Sequence, residues 1–296
     1  YQAFFNKLGH RTQIKNINEI IKKKIDYSKF NFIFFDISNN KYFNKKDLLK
    51  KLRKIFLKYK NKIIIIDGLE KDLISRKKIL PAPKKIIIPY FLEKNFKKSR
   101  GSQYLIGPQY LLNKPKLSFK KLNKKKIKNI LITVGGSDIN KCALKIIKLL
   151  KRTKISDLKI SLIKGDFFLK NETDRIKNFC FKNNIRLKIL KFKKNFYENI
   201  KNQDLIISSS ELTKYELIFY KIPFLIFCEN KTQYRLNKGF EYTKICPLIK
   251  SLNFKNDKSN ILKLKKFITS FSYREEYLNK ICKLLNNNIY KIIRII

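Results

Sequence analysis

The stretch at 204–233 constrains the fold most, because a helical segment lies there between two short and continuous apolar runs. The runs at 205–208 and 224–227 do not alternate with polar residues, which is typical of strands buried on both faces. The segment at 211–220 has helical spacing. Buried strands joined through a helix form a parallel βαβ unit with a right-handed crossover. The pattern therefore predicts an α/β protein.

The same alternation runs through the rest of the chain. In the first half, strands are expected at 31–37, 62–66 and 85–90, with a helix at 45–60. In the second half, the expected strands are 129–134, 159–163, 187–191, 204–208 and 224–227, and the expected helices are 139–152, 170–183, 194–201, 211–220 and 231–240. The C-terminal segment 257–293 is expected to be helical. Both halves thus predict a parallel sheet covered by helices.

The chain has 296 residues, enough for two domains of about 100–150 residues each. Residues 113–128 are polar, contain proline and have almost no acidic residues, which is typical of a connection between domains. We therefore predict an N-terminal domain at 1–120 and a C-terminal domain at 121–296, with the last helix packing back on the first domain. A ligand would lie at the carboxyl ends of the strands, in the cleft between them. The chain opens on Tyr1, so its first domain could be clipped at the start.

The formal net charge of +48 favours anionic ligands, including sugar nucleotides and, weakly, acidic membranes. Nucleic acid is not the expected specific partner, since lysine rather than arginine supplies most of the charge and is spread along nearly every segment. No apolar run approaches the roughly 20 residues that span a bilayer. The start does not have the form of a signal peptide, so the expected compartment is the cytoplasm. The oligomeric state is not predicted.

The cysteines and the lone histidine predict neither a metal site nor a cofactor. The five cysteines are far apart and form no metal-ligand spacing; they are Cys142, Cys180, Cys228, Cys246 and Cys282. Several lie in apolar helical or strand contexts. They are expected to be buried thiols in a reducing compartment.

The strongest candidate site follows the apolar run at 205–208. Ser209 and Ser210 form a small-residue turn at a helix N-terminus, where exposed N–H groups favour a phosphate. Thr213 and Glu216 are three residues apart and share one helix face. A hydroxyl near a phosphate and a carboxylate near sugar hydroxyls would bind a nucleotide. The alternative is an ordinary βαβ unit with a solvated glutamate.

A second candidate turn follows the strand at 129–134. Gly135 and Gly136 would let the backbone approach a ligand closely, and Ser137 precedes a helix. The alternative is that Ser137 or Asp138 simply caps this helix, which does not exclude a ligand contact.

The first half offers two catalytic candidates. His10 follows Gly9 just before a predicted helix at 14–24, and its titration near neutral pH suits general acid–base catalysis. The alternative is a structural histidine. Asp67 follows the strand at 62–66, a site position in an α/β sheet, although capping of its loop is equally compatible.

Taken in order, these motifs resemble the GT-B fold, in which two Rossmann-like domains with parallel sheets face a cleft. More closely, they resemble the UDP-sugar hydrolase of the pseudaminic-acid pathway and its relatives in spore-coat and flagellin polysaccharide synthesis. The MurG-type glycosyltransferases share the second-domain pattern. The matching segments are the Gly9-His10 loop, the strand ending at Asp67, GPQYLLNKP at 107–115, GGSD at 135–138, LTKYEL at 212–217, KIPFLI at 221–226 and the Asn230 to Gln233 loop.

The resemblance implies that the second domain binds UDP and that no metal or cofactor is required. Glu216 would contact the ribose hydroxyls, and Gly136, Ser137, Ser209, Ser210 and Thr213 would surround the pyrophosphate. His10 would act on the sugar, which Asn230 and Gln233 would also approach. The implied activity is hydrolysis of a UDP-activated amino or deoxy sugar for nonulosonic acid and surface-glycan synthesis. The alternatives are transfer of that sugar by a GT-B glycosyltransferase and a non-catalytic binding module.

This chain departs from the family pattern at three positions. Lys7 and Gln13 stand where the family loop usually has glycine and arginine, and Glu211 would bring a carboxylate close to a diphosphate.

Overall fold

The computed structural model describes residues 11–15, 19, 25–36, 46–66, 80–91, 101–110, 119–138, 140–193, 195–209, 213–250 and 257–286. The described residues up to Tyr110 belong to one compact unit, and those from Phe119 to Asn286 belong to a second.

The described part of the first unit contains a parallel sheet with the strand order β1-β2-β3-β4. The strands are β1 (Ile33–Asp36), β2 (Ile63–Ile66), β3 (Lys85–Ile88) and β4 (Gln103–Ile106). Helix α1 (Lys46–Tyr59) connects β1 to β2, and short 3₁₀ helices lie at Tyr27–Lys29 and Pro108–Tyr110. The buried face of α1 presents Leu48, Leu52 and Phe56, which are four residues apart and lie one above the other.

The second unit contains a parallel sheet with the order β10-β9-β8-β5-β6-β7. Its strands are β5 (Asn129–Thr133), β6 (Lys159–Lys164), β7 (Arg186–Lys191), β8 (Leu205–Ser209), β9 (Phe224–Cys228) and β10 (Leu248–Lys250). Its helices are α2 (Cys142–Arg152), α3 (Lys170–Lys182), α4 (Tyr197–Ile200), α5 (Thr213–Tyr220), α6 (Lys231–Tyr242), α7 (Asp257–Thr269) and α8 (Phe271–Asn286). Counted within the unit, this is the doubly wound order 3-2-1-4-5-6. The order reverses between β5 and β8, where such sheets bind their ligands.

The core of the second unit explains why its strands are continuous apolar runs. Every residue of β8 and β9 is buried, because helices cover both faces of the sheet. Four of the five cysteines are buried thiols, as predicted, and Cys282 is half-buried. Burial raises the pKa of Cys180 to about 11 and that of Cys228 to about 12, so these thiols stay protonated and unreactive near neutral pH.

Most of the predicted elements are present, with three differences. The sequence analysis missed β4 and β10, which are short strands of mixed polarity. It predicted a helix at 194–201, where the described helix is only Tyr197–Ile200. The C-terminal helical segment divides at Ser270, whose side-chain Oγ accepts a hydrogen bond from Tyr273 N at 3.2 Å and so caps α8. The predicted helix at 14–24 and the end of the predicted helical segment beyond 286 lie largely outside the described residues.

The second half of the predicted connection packs on the second unit. The Phe119 ring lies 4.7 Å from the rings of Tyr197 and Tyr220, and Leu122 N donates to Lys221 O at 3.0 Å. Arg274 of α8 is fully buried and binds the same segment. A domain boundary at 120 stays a prediction, as does the packing of the last helix on the first domain. No described helix has both the length and the hydropathy needed to cross a bilayer.

Candidate functional site

The candidate site lies at the carboxyl edge of the second sheet, where β5 and β8 are neighbours. Thr133 pairs with Ser208 near the ends of these parallel strands. The Gly135-Gly136 loop that follows β5 and the end of β8 at Ser209 therefore lie side by side. The sequence analysis selected both loops separately, and the strand order brings them together.

Close backbone packing fixes the Gly135-Gly136 loop. Gly135 has a φ of +86°, a left-handed conformation that favours glycine. Gly136 O accepts a hydrogen bond from Phe167 N at 3.0 Å. A Cβ atom at Gly165 would lie only 2.3 Å from Gly136 O, so this contact requires glycine at 165. The sequence analysis missed Gly165, although it is one of only eight glycines and directly follows β6.

Asp138 caps helix α2, which confirms the capping alternative. Its carboxylate accepts hydrogen bonds from Cys142 N at 2.6 Å and from Ala143 N at 3.0 Å. Burial raises the pKa of Asp138, and these two N–H groups oppose that effect. The N–H groups of Cys142 and Ala143 are thus already occupied, and the loop at 135–137 stays the predicted anion contact of this segment. Ser137 is half-buried there.

Ser209 ends β8 with an unsatisfied polar group. Its side chain is only 8% exposed, and its Oγ has no hydrogen-bond partner among the described residues. The neighbouring Ser208 Oγ, by contrast, donates to Ser209 O at 3.0 Å. An unpaired buried hydroxyl costs free energy that a bound ligand can recover. Ser210 lies outside the described residues.

Glu216 is a half-buried carboxylate with no compensating cation among the described residues. Helix α5 begins at Thr213, so Glu216 lies one turn from the serine turn. Within the described residues Glu216 has no ion pair or hydrogen bond, and burial raises the pKa of its carboxyl. Asp204 behaves differently, because its pKa is lowered overall. Burial raises the pKa, but hydrogen bonds from Lys124 and from the backbone N–H groups of Asn129 and Lys128 outweigh that effect. In a chain of charge +48, a carboxylate that is half-buried without a cation among the described residues is a candidate for a functional site.

Replacing Glu216 with glutamine should stabilise the fold near pH 7. Because the pKa of Glu216 is raised on folding, the folded state binds this proton more tightly than the unfolded state does. The free energy of unfolding therefore falls as the pH rises from the ordinary glutamate pKa of about 4.3 through the raised pKa. We expect the melting temperature of Glu216→Gln to exceed that of the wild type by roughly 1–3 °C at pH 7. The advantage should vanish below about pH 4, where Glu216 is protonated.

A matched control makes the same charge change at Glu276. Its hydrogen bond to Lys244 lowers the pKa of the Glu276 carboxyl, so Glu276→Gln should not stabilise the protein. Thermal melts of both variants across the pH range test this difference. A Glu216→Gln protein that is less stable than the wild type at pH 7 would contradict the assignment of Glu216 as an uncompensated charge.

Asn230 and Gln233 together cap helix α6. Asn230 Oδ1 accepts a hydrogen bond from Gln233 N at 2.9 Å, and Gln233 Oε1 accepts one from Glu229 N at 2.8 Å. These bonds hold both predicted ligand contacts beside the end of β9. The buried Asn237 lies one turn further along and donates through Nδ2 to Gln233 O at 2.7 Å. Its Oδ1 has no partner among the described residues, a feature that the sequence analysis missed.

An exposed aromatic ring lies at the same edge of the sheet, after β7. Phe192 is 56% exposed. The buried Asn199 fixes the backbone on both sides of it, because Oδ1 accepts from Lys193 N and Nδ2 donates to Lys191 O, each at 2.9 Å. The sequence analysis did not select Phe192.

The remaining predicted site residues, Gly9, His10 and Asp67, lie outside the described residues, although β2 ends at Ile66, directly before Asp67. Among the residues that the structure describes, no group of three histidine, cysteine, aspartate or glutamate side chains could hold a metal ion.

No family model matches this chain. A curated relative, an uncharacterised protein of Methanocaldococcus jannaschii, is 28% identical over 257 residues, which cover 74% of this chain and 50% of the relative. The chain thus spans about half the length of this curated relative.

The structural comparisons identify the fold. MurG of Acinetobacter baumannii superposes with a TM-score of 0.61 at 11% identity, over 95% of this chain and 78% of MurG. The glycosyltransferase of kitacinnamycin superposes with a TM-score of 0.53 at 10% identity, over 88% of this chain and 73% of the glycosyltransferase. The spinosyn rhamnosyltransferase SpnG, complexed with thymidine diphosphate, superposes with a TM-score of 0.53 at 12% identity, over 88% of this chain and 70% of SpnG. The chain has the α/β GT-B fold, with parallel sheets in both units, as predicted.

Proposed function

We propose that this protein is a GT-B glycosyltransferase that binds its nucleotide-sugar donor at the carboxyl edge of the second sheet. The observation that carries the proposal is the uncompensated, half-buried carboxylate of Glu216 beside the switch point between β5 and β8. The three compared structures are glycosyltransferases, and one of them contains a nucleoside diphosphate, which supports the same assignment.

The chemistry of each group suits one part of a nucleoside diphosphate. Ionised Glu216 accepts hydrogen bonds from ribose hydroxyls, while the Ser209 hydroxyl and the Gly135-Gly136 backbone face a diphosphate at the ends of β8 and β5. Phe192 offers an exposed ring on which a base can stack. The overall positive charge of the chain favours the dianionic ligand. Thr213, Asn230 and Gln233 stay predicted contacts of the phosphates and sugar.

Replacing Glu216 with alanine should weaken UDP binding by about 1–3 kcal/mol, or roughly 5- to 150-fold, because charge-assisted hydrogen bonds to the ribose are lost. Titration calorimetry measures this directly. The control Glu276→Ala removes the same charge on α8 and should bind UDP like the wild type. If the carboxylate contacts both ribose hydroxyls, 2′-deoxy-UDP should also bind the wild type more weakly than UDP. Equal UDP affinity in Glu216→Ala and Glu276→Ala would contradict the assigned site.

The compared structures favour transfer over hydrolysis. The sequence resemblance implied a UDP-sugar hydrolase of pseudaminic-acid or flagellin-modification type, and that more specific activity stays a prediction, as do a cytoplasmic location and weak membrane association. A UDP-release assay on a panel of UDP-amino sugars separates the two reactions. A transferase should release UDP much faster when an acceptor glycan or lipid is added. Release at the same rate in water alone would favour the hydrolase.

Replacing His10 with glutamine should reduce turnover by about 100-fold, as expected when a general acid or base is lost, with little change in UDP affinity. The same release assay and calorimetry give both numbers. Equal turnover in the two proteins would remove His10 from the mechanism and leave it with a structural role.

A further inference from the structure

A hydrogen bond joins the two loops that lie on either side of β8. Asn140 Nδ2, in the loop after β5, donates to Glu229 Oε2, in the loop after β9, at 2.9 Å. In the sheet β8 lies between β5 and β9, and all three strands are parallel. The bond therefore links the two loops that flank the carboxyl end of β8, where the Ser209 hydroxyl has no partner among the described residues.

Both ends of this bond are attached to ordered structure. On the Glu229 side, the backbone N–H of Glu229 donates to Gln233 Oε1 at 2.8 Å, at the N-terminus of α6. On the Asn140 side, the same loop is fixed at Gly136 by the hydrogen bond from Phe167. The loop after β5 is thus held from the β6 side through Gly136 and from the β9 side through Asn140.

We propose that Asn140 and Glu229 are a positioning pair that sets the spacing of the two loops around the diphosphate of the bound nucleotide. The proposal rests on the proposed function, because the pair matters only if the ligand lies at the end of β8. A carboxylate so near a diphosphate repels it, and a hydrogen bond from a neutral amide does not remove that charge, so Glu229 needs a structural reason to be there. Accepting the Asn140 hydrogen bond turns Glu229 toward the loop and gives its presence there a physical reason.

A positioning role predicts different effects for different substitutions at Asn140 and Glu229. Glu229→Gln keeps a side-chain oxygen that can accept from Asn140, whereas Glu229→Ala and Asn140→Ala each remove the bond. A residue that only repelled the ligand would behave oppositely, since both changes at Glu229 would then strengthen binding. Asn140 is exposed and Glu229 is only half-buried, so their removal should leave the melting temperature within about 1 °C of the wild type.

The test is a double-mutant cycle on UDP affinity, measured by calorimetry. We expect Asn140→Ala and Glu229→Ala each to weaken UDP binding by about 3- to 10-fold, the double variant to be no weaker than the worse single one, and Glu229→Gln to restore most of the affinity. Additive losses, unchanged affinities or tighter binding by both Glu229 variants would overturn the inference, while UDP binding by the wild type would still support the proposed function. A wild type that does not bind UDP would overturn the inference and the proposed function together.

Discussion

Gly165→Ala is expected to destabilise the second unit by about 3 kcal/mol, at the upper end of the range for overpacking. The added Cβ would lie 2.3 Å from Gly136 O and 2.6 Å from Gly136 C and Cα. These are backbone atoms, so no side chain can rotate away, and the two loops must separate. Denaturant unfolding followed by circular dichroism measures the loss. The same separation should weaken UDP binding, because Gly136 belongs to the loop proposed to face the diphosphate.

Gly136→Ala is the matched control for stability. Among the described residues, its Cβ would meet only the Phe167 ring, at 3.5 Å, which is an ordinary van der Waals contact with an exposed side chain. We expect its unfolding free energy to stay within about 0.5 kcal/mol of the wild type. Equal stabilities for the two variants would show that the contact between Gly165 and Gly136 is looser than described.

Arg274→Met is expected to cost about 3–5 kcal/mol of stability, the largest effect that we predict for a single substitution, because several buried carbonyl groups would each lose a donor at a cost of about 1–3 kcal/mol. The Arg274 side chain is fully buried. It donates to Phe267 O at 2.9 Å and Ile268 O at 2.7 Å at the end of α7, and to Lys124 O at 2.7 Å. Methionine has similar bulk but no donor, so these carbonyl groups would be left unpaired.

The loss at Arg274 would also release the segment that enters β5. Arg274 Nε donates to Asn123 Oδ1 at 3.1 Å, so the side chain joins this segment to α7 and α8. Arg175→Met is the control, because Arg175 is exposed and makes only a 4.0 Å ion pair with Glu172. It should change the unfolding free energy by less than about 0.5 kcal/mol. An Arg274→Met protein as stable as this control would contradict the assigned role.

Local patterns predicted most of the fold because its strands are buried on both faces. Continuous apolar runs such as 62–66 and 205–208, when helical segments separate them, predict buried parallel strands. β10 was missed because three residues at a sheet edge give too short a signal. Glu216 could be selected from sequence, because its spacing from Thr213 and its place after a buried strand are local properties.

The tertiary features of the site could not be predicted in this way. The contact between Gly165 and Gly136 depends on how two loops pack, and the bond between Asn140 and Glu229 depends on β8 lying between their strands. Neither follows from spacing along the chain. The desolvation of Glu216 likewise becomes visible only when the burial around α5 is known.

A crystal structure of the protein with UDP tests the central claim most directly. We expect the ribose hydroxyls to lie within hydrogen-bonding distance of the Glu216 carboxylate and the diphosphate to lie at the end of β8, in contact with Ser209. UDP bound elsewhere on the second unit, with Glu216 and Ser209 free of it, would contradict the account.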